Sequence, residues 1–188
     1  MATTALFITE QFIKDNTLID GNVDMKYITI TIADAQRMHI LPILGTALYN
    51  ELDAQIVAGT LSVLNTTLLN DYIQDALKYW TIYEGIDLFT YHITNKSIAT
   101  KTSDNSSPIQ QVDVIRLMDR NKDKAQFFSE RVTRYLITNE LLYPLYTDAG
   151  NDYDTVQPVI NNYNCGWNLD DINKDYGLPI DYGRLNNL

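Results

Sequence analysis

The chain has 188 residues, of which 45% are hydrophobic, and its formal net charge is −10. This length and hydrophobic share are typical of one folded domain and exclude a chain that stays disordered. The acidic balance excludes a surface that is basic throughout, which leaves only local basic strips for contact with nucleic acid. The single cysteine, Cys165, excludes an internal disulfide and a cysteine-based metal site, so we expect a reducing compartment.

Neither export nor membrane insertion is indicated. Residues 1–7 lack the basic start and the apolar stretch of a secretory signal. No apolar run approaches the roughly 20 residues that a membrane-spanning helix needs, because Glu84 and Asp87 interrupt the most apolar segment. We therefore expect a soluble protein that makes no membrane contact.

The first predicted elements are two helices. Thr9 is a suitable N-cap for a short helix that includes Ile13. From about Tyr27, apolar residues recur at intervals of three and four, which predicts a second helix that Pro42 ends or kinks. The β-branched run at 28–32 leaves a strand as the alternative, but the helical spacing continues beyond it.

A corner and a long helix follow. Gly45 offers a restart for a third helix, which Gly59 closes. Asn65 is the predicted N-cap of a long helix that runs to about Ile93, with Gly85 as a bend or a close-packing point. Because its apolar residues occupy more than one face, we expect this helix to lie at the centre of the bundle.

The second long helix is predicted after a Ser-, Thr- and Asn-rich loop at 95–108. It begins at Ile109 or Gln110 and ends near Asn139. Its charged middle, residues 119–124, is expected to project beyond the core. The predicted apolar stripe consists of Val112, Ile115, Phe128, Val132, Tyr135 and Leu136.

The composition changes at Thr147. The last 42 residues contain eight Asn, seven Asp and four of the eight Gly, and helical periodicity stops. Large apolar side chains nevertheless recur throughout, which is typical of a segment that becomes ordered on a binding partner. The alternative is that this tail packs back on its own bundle. The predicted partner-binding residues are Tyr153, Ile160, Tyr163, Trp167, Leu169, Ile172, Tyr176, Leu178, Ile180 and Tyr182.

These patterns predict an all-α fold, a helical bundle with two long helices and an extended, mostly non-helical C-terminal tail. The proposed division is a helical domain at 1–146 and a docking tail at 147–188.

The chain carries no recognisable catalytic motif, so we expect a protein that is not an enzyme and has no cofactor. His39 has no second ligand at helical spacing and is predicted to be partly buried and hydrogen-bonded. Two carboxylate pairs occur at a spacing of four, but the macrodipole of a helix start explains the first and neighbouring cations explain the second. These pairs are Asp71 with Asp75 and Asp119 with Asp123.

Arg116, Arg120 and Lys124 repeat at a spacing of four and are candidate DNA-facing residues. Such a strip would contact a polyanion electrostatically, without reading its sequence. A solvated face of mixed charge is the alternative explanation.

Three motifs carry a family resemblance. They are AQRMHILPILGTALY at 35–49, a long helix that contains Tyr79 and Trp80, and RYLITNE at 134–140 followed by YPLY at 143–146. Together they resemble the head-to-tail adaptor proteins of tailed phages, and most of all the connector or ring proteins of crAss-like phages. The likeness covers roughly residues 6–146 and rests on packing and corner residues.

The resemblance implies a virion structural protein in the neck between capsid and tail, made in the cytoplasm of the host bacterium. Such subunits assemble with neighbouring copies, about twelve of them, into a closed ring below the portal protein. The ring continues the DNA channel, through which DNA passes without specific contacts, and meets other connector or tail proteins. Terminal segments of such proteins grip the portal or a neighbour, a role that the tail from Thr147 would fill.

Two functions of other classes stay open. One is a small helical metal protein or enzyme with a site built from Asp71, Asp75, Glu84 and His92, although Glu84 and His92 lie two helical turns apart. The other is a DNA-binding accessory factor that uses the basic strip.

Overall fold

The computed structural model describes residues 5–19, 22–93, 98–100, 110–148 and 155–158, and within them the chain is an all-α bundle with one short strand pair. Both predicted long helices are present. The elements are α1 (Glu10–Asn16), α2 (Met25–Ala35), α3 (Leu41–Leu44), α4 (Thr46–Ala58), α5 (Val63–Leu68), α6 (Gln74–Thr90), β1 (Tyr91–Ile93), β2 (Ile98–Thr100), α7 (Gln111–Thr138), the 3₁₀ turn Glu140–Leu142 and α8 (Pro144–Thr147).

The N-terminal helices begin where the sequence predicts. The Thr9 hydroxyl accepts a hydrogen bond from the Phe12 N–H at 3.1 Å, which confirms the N-cap of α1. Residues 28–32 are helical, so the strand alternative is wrong. A π-helical segment, Gln36–Ile40, joins α2 to α3 without a break. Pro42 therefore does not end the helix, because it lies in the first turn of α3, and Gly45 ends it instead.

The cap of the first long helix differs from the prediction. The Ser62 hydroxyl, not Asn65, caps α5 by accepting from the Asn65 N–H at 3.1 Å. The Asn65 side chain is buried and donates to Glu51 at 3.1 Å and to Gln55 at 3.0 Å. Asn65 thus links two helices. Gly59 closes α4 in the left-handed conformation, as predicted.

The long helix is central, as predicted. A second π-helical segment, Leu69–Ile73, joins α5 to α6, and both α2 and α7 pack against α6. Gly85 is a close-packing point, because a Cβ there would lie 2.6 Å from the Phe89 ring. The helix ends at Thr90, three residues early, since the last predicted turn instead forms β1, which pairs antiparallel with β2.

Helix α7 runs antiparallel to α6. Tyr72 stacks on Tyr135, with ring centroids 3.9 Å apart, and Tyr79 stacks on Phe128 at 5.5 Å. The predicted projection of residues 119–124 is wrong, because Asn121 is buried in the bundle.

The buried stripe of α7 also differs from the predicted one. Val112 and Ile115 are exposed, with relative exposures of 73% and 50%. The buried residues recur at alternating intervals of seven and four, so one narrow line of the helix faces the core. They are Val114, Asn121, Ala125, Val132 and Leu136.

Among the described residues, no single helix has both the length and the apolar composition to span a membrane. One pair, Thr46–Ala58 with Val63–Ile86, meets the length and composition criteria only together, and it is bent by 104°.

Candidate functional site

The described start of the tail is held on the bundle at the corner between α3 and α4. The Thr46 N–H donates to the Val156 carbonyl at 2.9 Å, and the Val156 N–H donates to the Thr46 hydroxyl at 2.8 Å. We call these contacts, together with Gly45 and Pro158, the tail anchor. The two bonds satisfy an orphan N–H at the start of α4 and fix the direction of the chain at 155–158.

Gly45 makes the tail anchor possible. Its backbone has φ of +75° and ψ of 160°, a conformation that is essentially restricted to glycine. A Cβ here would lie 2.8 Å from the Pro158 ring and 3.2 Å from the Val156 carbonyl oxygen. The proline ring therefore occupies space that only a glycine leaves free.

Two buried tyrosines close the bundle beside α4. The Tyr143 hydroxyl donates to the Leu64 carbonyl at 2.9 Å, so the Tyr135 hydroxyl is the donor in its 3.3 Å contact with Tyr143. Burial raises the pKa of Tyr143 well above its ordinary value, and the pKa of Tyr146 is raised for the same reason. The Tyr146 hydroxyl finds no hydrogen-bond partner among the described residues.

The N-terminal segment is fastened by one buried side chain. The Gln36 amide accepts from the Phe7 N–H at 2.9 Å and donates to the Ala5 carbonyl at 2.9 Å and to the Tyr49 hydroxyl at 2.8 Å. Gln36 is only 1% exposed. Gln36 thus satisfies the Phe7 N–H and the Ala5 carbonyl where the N-terminal segment enters the core.

A surface cavity of about 540 Å³ lies between the end of α1, helix α6 and the first half of α7. We call it the cationic groove. Two basic side chains, Arg120 and Lys124, stand on its α7 side over apolar walls. Its other lining residues are Asn16, Thr17, Leu18, Ile19, Tyr79, Ile82, Ile86, Phe89, Leu117 and Asn121.

The groove divides the predicted basic strip. Arg120 and Lys124 line it, whereas Arg116 is exposed and is not part of its lining. The Lys124 ammonium lies 5.2 Å from the centre of the Tyr79 ring, a cation–π contact. Neither Arg120 nor Lys124 makes an ion pair with any described residue.

His39 is partly buried and hydrogen-bonded, as predicted. Its Nε2 lies 2.7 Å from the Glu84 carboxylate, and its ring stacks on Trp80 with centroids 3.6 Å apart. The Trp80 indole N–H donates to the Ser129 hydroxyl at 2.9 Å. The cluster ties the π-helical segment Gln36–Ile40 to α6 and α7.

Two residues of the alternative metal site, Asp75 and Glu84, have other partners, and Asp71 is exposed. Asp75 pairs with Lys78 at 2.6 Å, which gives this carboxylate a role that does not depend on a helix start. Glu84 is bound to His39, and the side chain of His92 lies outside the described part of the chain. Within the described residues, no group of three or more His, Cys, Asp or Glu is placed to hold a metal ion.

All ten predicted partner-binding residues of the tail, from Tyr153 to Tyr182, lie outside the described residues. The tail anchor and the cationic groove were not predicted. Each is built from segments far apart in the chain, as with Thr46 and Val156, which are 110 positions apart.

A family of unknown function, DUF6712, matches residues 40–155. The chain belongs to this family. The matched segment runs from the last residue before α3 to the tail anchor, and it includes α6 and α7 but not α1 or α2. No curated protein and no solved structure matches the chain. The DUF6712 match therefore names no activity and no partner.

Proposed function

We propose that the chain is a head-to-tail connector subunit of a tailed-phage virion, with a structural and not an enzymatic role. In this function it forms a closed ring with neighbouring copies below the portal protein. The ring continues the DNA channel, and the subunit docks through its C-terminal segment.

The tail anchor is the observation that carries the proposal. Of the three motifs that carry the phage resemblance, the first, at 35–49, contains Gly45 and Thr46, and the last, which ends at 143–146, contains the two buried tyrosines. Both motifs thus lie where the bundle closes and where the described start of the tail is fixed. A connector subunit needs such a fixed point, because an arm tethered at its base meets a neighbouring subunit at high effective concentration.

The sequence beyond the anchor fits an arm that binds a partner. The 30 residues at 159–188 carry twelve aliphatic or aromatic side chains. At about 3.3 Å per residue, an extended arm of this length reaches on the order of 100 Å. That reach is more than twice the length of a helix such as α7, so a neighbouring subunit lies within range.

The test measures native mass and protease protection of the full chain, alone and mixed with the portal protein of the same phage. We expect a ring-sized complex in which cleavage sites at 159–188 become protected. A Thr46→Val variant tests the tail anchor, because it loses the hydroxyl that accepts from the Val156 N–H but keeps the N–H that donates to the Val156 carbonyl. A chain that stays monomeric with the portal, with unchanged cleavage of the tail, contradicts the connector function.

A DNA-binding accessory role is the second candidate. It is favoured by four exposed cations within nine residues of α7, Arg116, Arg120, Lys122 and Lys124. Duplex DNA binding that weakens steeply with salt and is lost in the Arg116→Glu variant would support it. Absence of binding at low salt would exclude it.

A further inference from the structure

We propose that the cationic groove is the docking site for the C-terminal segment, residues 159–188, of a neighbouring copy. This inference rests on the proposed function, since it names the surface through which one subunit holds the next. The groove and the segment complement each other in apolar character, in charge and in geometry.

The walls of the groove are apolar and partly exposed. Leu18, on the α1 side, is fully exposed, and Leu117, on the α7 side, is 45% exposed. Between them lie Ile82, Ile86 and Phe89 of α6. A cavity of this size holds a few large side chains, and the segment at 159–188 supplies Trp167 and three tyrosines among its apolar residues.

The charges also match. Residues 1–158 carry a net charge of −8, so an acidic segment meets repulsion over most of the bundle. The groove is an exception, because Arg120 and Lys124 stand at its edge without ion-pair partners among the described residues. The segment at 159–188 has four aspartates against one lysine and one arginine. Asp170 and Asp171 lie between two apolar residues, which suits a groove with apolar walls and a basic edge.

The tail anchor and the groove lie on different elements of the bundle. The segment at 159–188 follows the tail anchor, which lies at the start of α4, whereas the groove is walled by α1, α6 and α7. When this segment of one copy binds the groove of the next, the contact between the copies is head-to-tail. Repeated from copy to copy, such a contact closes into a ring when the rotation between copies permits it.

The first experiment is charge reversal in the full chain. We expect Arg120→Glu with Lys124→Glu to weaken self-association roughly tenfold in sedimentation, since both edge charges then repel the arm. Assembly should slow hydrogen exchange at 159–188 in the unaltered chain. In the charge-reversed variant, exchange at 159–188 should be as fast as in the dilute unaltered chain. The matched control, Arg116→Glu with Lys122→Glu, makes the same charge change on the same helix outside the groove and should leave both readouts unchanged.

The second experiment is a charge swap between copies. Asp170→Lys with Asp171→Lys alone should weaken association as the groove variant does. A mixture of this arm variant with the groove variant should recover association, because each chain then offers the other a complementary surface. Circular dichroism of each variant verifies the helical fold, which exposed substitutions should preserve.

Three results would overturn the proposal. They are an equal effect of the control pair, a mixture that recovers nothing, and an arm already protected in the dilute monomer, which would place it in its own groove. Binding to the portal is measured separately. A chain that associates through the groove yet ignores the portal would refute the connector function and leave the groove assignment intact.

Discussion

Thr46 and Val156 hold each other through two hydrogen bonds of 2.9 and 2.8 Å, each residue acting once as donor and once as acceptor. They lie 110 positions apart, so this pair closes the chain between the start of α4 and the tail. The contact depends on Gly45, whose missing side chain leaves room for Pro158.

Gly45→Ala should release the segment at 155–158 and destabilise the fold. The added methyl group meets the Pro158 ring and occupies a strained backbone conformation, which costs about 1–3 kcal/mol. Urea unfolding measures the loss, and proteolysis near Val156 reports the release. Gly59→Ala is the control: its φ of +67° is also strained, but no atom lies within 4 Å of the new Cβ, so we expect a smaller loss and no new cleavage.

Gln36→Leu should detach the N-terminal segment. Leucine fills the space but leaves the buried Phe7 N–H and the partly buried Ala5 carbonyl without their partner, at about 1–3 kcal/mol for the buried N–H. Thermal unfolding and exchange of the Phe7 amide measure the effect. Gln36→Glu keeps the acceptor and loses the donors, so the Phe7 amide should stay protected. Equal exchange in both variants would contradict the assigned bond.

Tyr143 and Tyr146 should respond oppositely to loss of the hydroxyl group. Tyr143→Phe removes the bond to the Leu64 carbonyl and should destabilise by about 1 kcal/mol. Tyr146→Phe removes a buried hydroxyl that has no partner among the described residues, and it should be neutral or stabilising by about 1 kcal/mol. Urea midpoints of the two variants decide the matter. A clear loss for Tyr146→Phe would reveal a bond to a residue outside the described ranges.

Glu10 makes a contribution to the free energy of unfolding that depends on pH in the acid range. The Thr29 hydroxyl donates to its carboxylate at 2.6 Å and holds the pKa of Glu10 below its ordinary value of 4.5. The contribution is therefore fully present above pH 4.5 and is lost as pH falls through the lower folded pKa. Thr29→Val should shift the Glu10 pKa, followed by NMR, upward, and its stability deficit should shrink toward pH 3. A deficit independent of pH would contradict this linkage.

Helical spacing predicted most of the bundle, because each helix buries a stripe that the sequence displays. Caps were less predictable. Ser62 and Asn65 are both good N-cap residues, and the choice depends on Glu51 and Gln55, which bind the Asn65 side chain from another helix. No local pattern contains that information.

The buried stripe of α7 was predicted wrongly for a related reason. Asn121 reads as part of a charged surface, yet it is buried with its amide donating to the Leu117 carbonyl at 2.8 Å. A polar group satisfied within its own helix can face a core at little cost. The groove could not be predicted from local sequence either, since its walls come from three separate helices.

Ile28 and Ile32 are fully buried, although α2 precedes the family segment at 40–155. A chain reduced to that segment would uncover the face of α6 on which α2 packs, at about 1.5–3 kcal/mol for each large apolar side chain returned to water. In this chain, the family segment alone is thus an incomplete core, and the N-terminal helix α2 is what seals it.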